Sequence, residues 1–443
     1  MPSSLAPVPF TPLAQTLPIL ESLVSPYTGI VRSTVELLRG HHEARLASVG
    51  CRLCATDEVL GTTSVDHTGG INASPTIARA AAIGEAVERY AGAADARHTA
   101  PLTSADELGA CAVAPERFTY FLPEQYATPD FPFVPFTGTT RLRFAEALAL
   151  PSCERVQVPA QLVYLARPPA DEELIAYPTS NGLACAATFE EAVLAGLLEL
   201  IERDAFMVAW ASRLSLPLLD WREDVELERF ARLYLEPAGL RHAGVDASCF
   251  FGVPTVFGVV HGGPGDAGLL GVGAAAAPTV QEATRKALAE AFSVQRGARD
   301  LALAAVEIPQ PDAIRDFDDH LLYYCDEENA ERVAFLDAST RRRPTSAVAP
   351  IAGGDVKDLI EAVVRLLGQR GVSVFAADVT TPDVREAGLV VVRVLSTELC
   401  PLDVIHLARF LGPRRLFHAA HELGLRDAPL TLGTTNHDPH PFP

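Results

Sequence analysis

The sequence predicts an α+β fold in which helices pack with mixed or antiparallel sheets. Long apolar helical patterns and short strand-like runs come in clusters and do not alternate as βαβ units. Apolar residues make up 48% of the 443 and charged residues 21%, a composition that supports a substantial buried core. Two helical patterns also share one string, Glu-x-x-Glu-Arg, at Glu85, Glu88 and Arg89 and again at Glu199, Glu202 and Arg203. Their neighbours are Ala, Leu, Ile and Val, so both copies belong to interior helices.

Residues 1–20 are Pro-rich and read as an irregular arm. With the mixed segment that follows they make a leading portion over 1–60, ahead of one large domain over 61–443. ASVGCRLCATDEVL is strand-like. The next stretch, 76–96, is a strong helix, with Asn72 and Ser74 as caps and Pro75 in its first turn. Residues 97–180 are short apolar runs cut by Pro and Gly and read as strands and loops. A second strong helix spans 188–212, with Thr188 as N-cap and Glu190 and Glu191 in its first turn. Strands follow near 253–262 and 268–275, then a helix at 279–298. The last third holds a helix at 354–370, the strands VSVFAADVT and LVVVRVL, and a Pro-rich tail.

Composition narrows the function. A net charge of −20, with only two lysines, disfavours nucleic acid as a partner. No apolar run reaches about 18 residues, so no membrane span is expected. The N-terminus lacks the basic region of a signal peptide, which points to a cytoplasmic address. Cys51 and Cys54 form a lone C-x-x-C without a second pair at zinc spacing, so the thiols read as buried or incidental.

The carboxylates carry the chemistry. Glu191, Glu199 and Glu202 fall within about 80° of one another on a helical wheel, and Glu85 and Glu88 share a face of the first helix. Two unpaired carboxylates about 5 Å apart repel by roughly 3 kcal/mol at an effective dielectric near 20. Gathering five therefore requires cations, and Mg2+, which commonly arrives with substrate phosphates, suits oxygen ligands best. The plain alternative is two ordinary i,i+4 Glu–Arg helix pairs. Gln281 and Arg285 share a face of the third helix, where a guanidinium can pair with phosphate. The glycine-rich HGGPGDAGLLGVG lacks the Gly-Lys-Ser/Thr ending of a phosphate-binding loop and reads as a strand connection. The chain ends Pro439-His440-Pro441-Phe442-Pro443, an alternation that presets an extended segment.

In several separated motifs, in order, the chain resembles the YcaO family, and within it the azoline-forming cyclodehydratase subunits (D proteins) that modify ribosomally made peptides. The motifs include SPYTGIVRS, GGINASPTIARAAAIGEAVERY, TSNGLACAATFEEAVLAGLLELIERDAF, Gln281-x-x-x-Arg285, DVTTPDVREAGLVVVRVL and the terminal PHPFP. The resemblance implies an ATP-binding fold without a P-loop. It implies that Glu85, Glu88, Glu199 and Glu202 bind Mg2+, with Glu191 a close support. Arg32, Arg89, Arg203, Gln281 and Arg285 become nucleotide contacts or orienters of the carboxylates. It implies that the tail, through Pro439, Pro441 and Pro443, reaches toward the active site, where the Pro443 carboxylate is a candidate base. The implied reaction turns Cys, Ser or Thr of a precursor peptide into thiazoline or oxazoline with ATP. The implied partners are that peptide, a separate E1-like leader-binding protein and a flavin-dependent azoline dehydrogenase, with a homodimer as an assembly. Two departures stand out: Ile71 and Ala81 occupy positions where family members commonly carry Lys and Ser. Rival readings are a thioamide- or amidine-forming relative and a catalytically weak scaffold subunit.

Overall fold

The computed structural model describes residues 9–442 apart from 42, 63, 95–99, 264, 305 and 306. Its thirteen described strands begin with β1 (Val31–Leu37), β2 (Ala47–Leu53), β3 (His67–Asn72), β4 (Phe144–Leu150), β5 (Glu154–Pro159) and β6 (Leu183–Ala186). They continue with β7 (Leu218–Asp220), β8 (Arg241–Asp246), β9 (Thr255–His261), β10 (Leu270–Ala276), β11 (Arg342–Pro344), β12 (Val374–Asp378) and β13 (Val390–Ser396). The longer described helices are α1 (Leu13–Ser22), α2 (Pro75–Ala93), α3 (Phe189–Ala211), α4 (Val280–Leu303), α5 (Val356–Gly368) and α6 (Arg414–Glu422).

The strands form three sheets, ordered β1-β2-β3, β10-β9-β8-β7-β11 and β5-β4-β12-β13-β6. All pairings are antiparallel except β7 with β11, which is parallel. This is the α+β architecture that clustered, non-alternating elements predict. The first sheet straddles residue 60, where a boundary between leading portion and main domain is expected from sequence.

The Pro-rich arm is a correction. Residues 13–22 form α1, because Leu13, Leu17 and Leu20 recur at helical spacing and pack into the cluster around α2. Pro18 lies inside this helix on its exposed side. Helices α2 to α5 follow their sequence signals, whereas α6 falls in the last third, where no helix beyond 354–370 is expected from sequence. At α3, Thr188 Oγ1 accepts the Glu191 N–H at 3.2 Å and Glu191 Oε2 accepts the Thr188 N–H at 3.2 Å, a reciprocal capping box.

Two of these helices organise the interior. α3 is apolar nearly all round and is buried among β10, β13, α5 and α6. α4 lies directly on β9 and β10. That contact depends on glycine: a Cβ at Gly271 would stand 2.1 Å from the Ala291 carbonyl oxygen, and one at Gly258 would stand 2.4 Å from that of Ala287. The HGGPGDAGLLGVG segment is the connection of the β9–β10 hairpin, as its composition implies. No described helix is long and apolar enough to cross a membrane.

Candidate functional site

The two Glu-x-x-Glu-Arg copies meet across one cavity of about 760 Å3, bounded by α2, α3, α4, β3 and β10. Glu85, Glu199, Glu202 and Arg203 line it, and α4 adds Glu290 and Lys286. Backbone amides hold the acids in place. Gly69 N–H donates to Glu85 Oε2 at 3.1 Å, Ala276 N–H to Glu202 Oε2 at 3.3 Å, and Ala274 N–H to Glu290 Oε2 at 2.7 Å. Arg89 reaches Glu85 Oε1 at 3.1 Å, an i,i+4 pair. Arg203 Nε lies 3.8 Å from both Glu199 Oε1 and Glu202 Oε1, a shared position that matches neither acid closely.

Burial has an electrostatic cost that the site displays. Desolvation, with Glu199 and other acids nearby, holds Glu202 and Glu290 well above the usual carboxylate range; Arg203 offsets only part of it. Glu88 is pushed up to about 8, mainly by desolvation, with Arg89 lowering and Glu85 raising it. Four lining acids against Arg203 and Lys286, the latter already paired with Glu282 at 2.8 Å, give the cavity more acidic groups than cations. That excess fits a divalent cation. Among the described residues no three His, Cys, Asp or Glu side chains form a cage that could hold an ion alone. This donor set suits Mg2+, which keeps waters and takes phosphate oxygens beside one or two carboxylates.

The other expected residues lie elsewhere. Glu88 turns away from the cavity lining and accepts the Cys185 N–H at 3.0 Å, joining α2 to β6. Glu191 sits at the first turn of α3, engaged by Thr188 and by the Thr11 hydroxyl at 3.1 Å. A wheel gives azimuth, not height: Glu191 is eight residues, about 12 Å along the axis, from Glu199. Gln281 donates to Asp224 at 2.8 Å, and Arg285 faces Glu226 at 3.5 Å, so neither lines the cavity. Arg32 is exposed on β1, where its charge bears on the Cys54 thiol. Ile71 and Ala81 do line the cavity, so both departures from the family pattern fall at the site itself.

Glu290 and Lys286 were not among the sequence candidates. On a wheel Glu290 is about 180° from Gln281 and about 140° from Arg285, so attention to that pair selected the wrong face of α4. The available signal was a carboxylate enclosed by apolar residues in ALAEAF. Cys51 and Cys54 are pushed up, chiefly by burial, Cys51 to about 11, and neither has the character of a reactive thiolate.

The proline-alternating tail runs through the interior. Trp210 Nε1 donates to the Asp438 carbonyl at 3.1 Å, the Tyr324 hydroxyl donates to the Pro439 carbonyl, and His320 Nδ1 meets the His440 carbonyl at 2.7 Å. Phe442 is fully buried, 4.8 Å from the Phe206 ring, with the Arg203 guanidinium over its face at 4.5 Å. The described tail therefore ends against the arginine that sits between Glu199 and Glu202. Pro443 lies outside the described residues.

Residues 69–400 match a family model described as YcaO cyclodehydratase, ATP- and Mg2+-binding. Among solved structures, the chain is similar to a heterocyclase in complex with substrate and cofactor, at 23% identity and TM-score 0.80, covering 100% of this chain and 59% of that one. It is also similar to the heterocyclase TruD, at 23% identity and TM-score 0.70, covering 100% and 56%. YcaO from Methanopyrus kandleri, bound with AMPPCP and Mg2+, aligns at 20% identity and TM-score 0.60 over 88% of this chain and 91% of that one. The chain thus spans less than two thirds of the two heterocyclases. Among curated proteins none matches by sequence.

Proposed function

The chain belongs to the YcaO cyclodehydratase family, which binds ATP and Mg2+, and on that premise we propose that it catalyses ATP-dependent cyclodehydration of Cys, Ser or Thr in a ribosomally made precursor peptide. The side-chain nucleophile attacks the preceding backbone carbonyl; the resulting oxygen accepts the γ-phosphoryl of ATP, and phosphate leaves with it to give thiazoline or oxazoline. The acidic cavity carries the reading. Glu85, Glu199, Glu202 and Glu290 would hold Mg2+, which neutralises charge on the phosphates. Arg203, held between two of those acids and against Phe442, keeps a cation fixed where phosphate charge would develop. Glu88 and Arg89 brace α2 and orient Glu85.

The tail supports the narrower assignment, because its last described residue packs on Arg203. In this reading Pro443 supplies its carboxylate as base to the nucleophile, and Pro439 and Pro441 set the path that delivers it. A separate E1-like protein that presents the peptide leader is part of the same proposal. A flavin-dependent azoline dehydrogenase acting afterwards, a homodimer and a cytoplasmic location belong to the same proposal.

The test combines the chain, its E1-like partner, the cognate peptide and Mg·ATP. The expected result is peptide-dependent ATP turnover with one water lost per modified residue by mass spectrometry. Incorporation of sulfide or an amine would indicate the thioamide or amidine reaction instead. Ile71 and Ala81 on the cavity wall favour one second reading, a catalytically weak scaffold. No ATP turnover with partner and peptide present would establish it. Removing five residues would also remove the buried Phe442, so the tail is tested by deleting Pro443 alone. Cyclisation should fall at least tenfold with Mg·ATP binding retained; unchanged cyclisation sinks the role as base.

A further inference from the structure

A second, separate cavity lies behind the metal cleft, and it holds a buried cation with no carboxylate partner among the described residues. Arg393 is on β13 between Val391 and Leu395, on the face that packs in the cluster around α2. Its residue is 4% exposed. Among the described residues Nε and Nη1 have no hydrogen-bond partner, and Nη2 makes only a long contact, 3.5 Å, to Thr179 Oγ1. Among the described residues no carboxylate is within ion-pair distance of it. Glu199 and Arg89 act on it only through longer-range fields, of opposite sign. Burial lowers its pKa to about 10, so it remains a cation at neutral pH.

The guanidinium faces a cavity lined also by Tyr120, Tyr177, Thr179, Asn181 and Leu200. Several polar groups there are already engaged. The Tyr177 hydroxyl accepts the Val404 N–H at 3.1 Å, and the Asn181 amide is held by Leu402 through contacts of 3.1 and 3.2 Å. Arg393 is thus the unspent charged group among the described residues that line the cavity. No residue lining this cavity also lines the metal cleft, yet α3 is the wall between them, with Glu199 on the cleft and Leu200 on the cavity.

A buried unpaired guanidinium costs several kcal/mol and is retained where something completes it. Its planar donors match oxyanions. We propose that Arg393 and its cavity form an oxyanion-binding subsite of the phosphate class, adjacent to the metal cleft and distinct from it. The site itself goes beyond the reaction assigned above; only its use during turnover, to hold the phosphate that is released, rests on that reading.

Inorganic phosphate is the probe, titrated by calorimetry and by thermal shift into the full chain, alongside Mg·ATP in the same preparations. The unaltered chain should bind phosphate saturably. Arg393→Met should weaken phosphate at least tenfold while changing Mg·ATP affinity less than threefold, and Arg393→Lys should recover most of the phosphate affinity. Failure of Mg·ATP to bind the unaltered chain would refute the assigned reaction without touching this site. Equal phosphate affinity in Arg393→Met would overturn the subsite, as would a parallel loss of Mg·ATP, which would assign Arg393 to the nucleotide cleft. If Arg393→Met does not fold, the unaltered chain and Arg393→Lys still decide. An unaltered chain with no phosphate-dependent rise in Tm shows a cavity that holds water alone.

Discussion

At Glu88 a carboxyl is held near 8 because the protein around it excludes water more effectively than Arg89 compensates. A folded-state pKa raised above the unfolded value of 4.5 means that the native state binds the extra proton. Its contribution is therefore fully present below 4.5 and is lost as pH rises toward 8. Without Mg2+ the chain should lose stability over that window, and Glu88→Gln should flatten part of the slope, an effect bounded by about 5 kcal/mol. Urea unfolding at pH 5 to 8.5 in the presence of a chelator checks this; an unchanged slope in Glu88→Gln would show that the carboxyl is solvated. Residue by residue, the sequence exposed the acids of both repeats, since carboxylates amid apolar neighbours are costly and therefore conspicuous. It did not distinguish Glu85, which faces the cavity, from Glu88, which binds the Cys185 amide, because that depends on where β6 lies.

Element boundaries were legible where caps and punctuation are strong. α3 begins after Thr188 as its capping box requires, and α2 opens on Pro75. α1 was missed because Pro18 inside it, Pro12 just before it and its short length mask the leucine spacing that packs it onto α2. Helix faces were harder. The side of α4 that enters the site is set by its close seat on β9 and β10, which brings Glu290 to the Ala274 amide. Gly271 permits that seat. Gly271→Ala should cost about 1–3 kcal/mol by overpacking and should also weaken Mg·ATP binding as Glu290 is displaced. Paired urea-unfolding and nucleotide-binding measurements test both effects; full stability would mean that α4 can move away without loss.

For the whole molecule, ligand linkage is the deciding observable. Mg·ATP at about 100 times its Kd should stabilise the chain by roughly 2.7 kcal/mol. Glu290→Gln should abolish most of that gain while raising the stability of the ligand-free chain, since it removes a buried charge. Glu191→Ala should do the reverse: about 1 kcal/mol lost through the cap, with the Mg·ATP gain intact. Loss of the gain in Glu191→Ala would place that carboxylate in the site despite its distance along α3. Thermal melts with and without Mg·ATP read all three. By itself the sequence determined the α+β class and the acidic helices, because apolar periodicity, caps and misplaced charge are local properties of a chain; its ordered motifs carried the resemblance to the family and, with it, the ATP and Mg2+ chemistry. Only the tertiary structure decided which acids share one cavity, that Phe442 packs on Arg203, and that Arg393 lies buried with no carboxylate partner among the described residues. Those facts depend on the crossing of helices from different sheets and on residues more than a hundred positions apart, which periodicity along one segment does not encode.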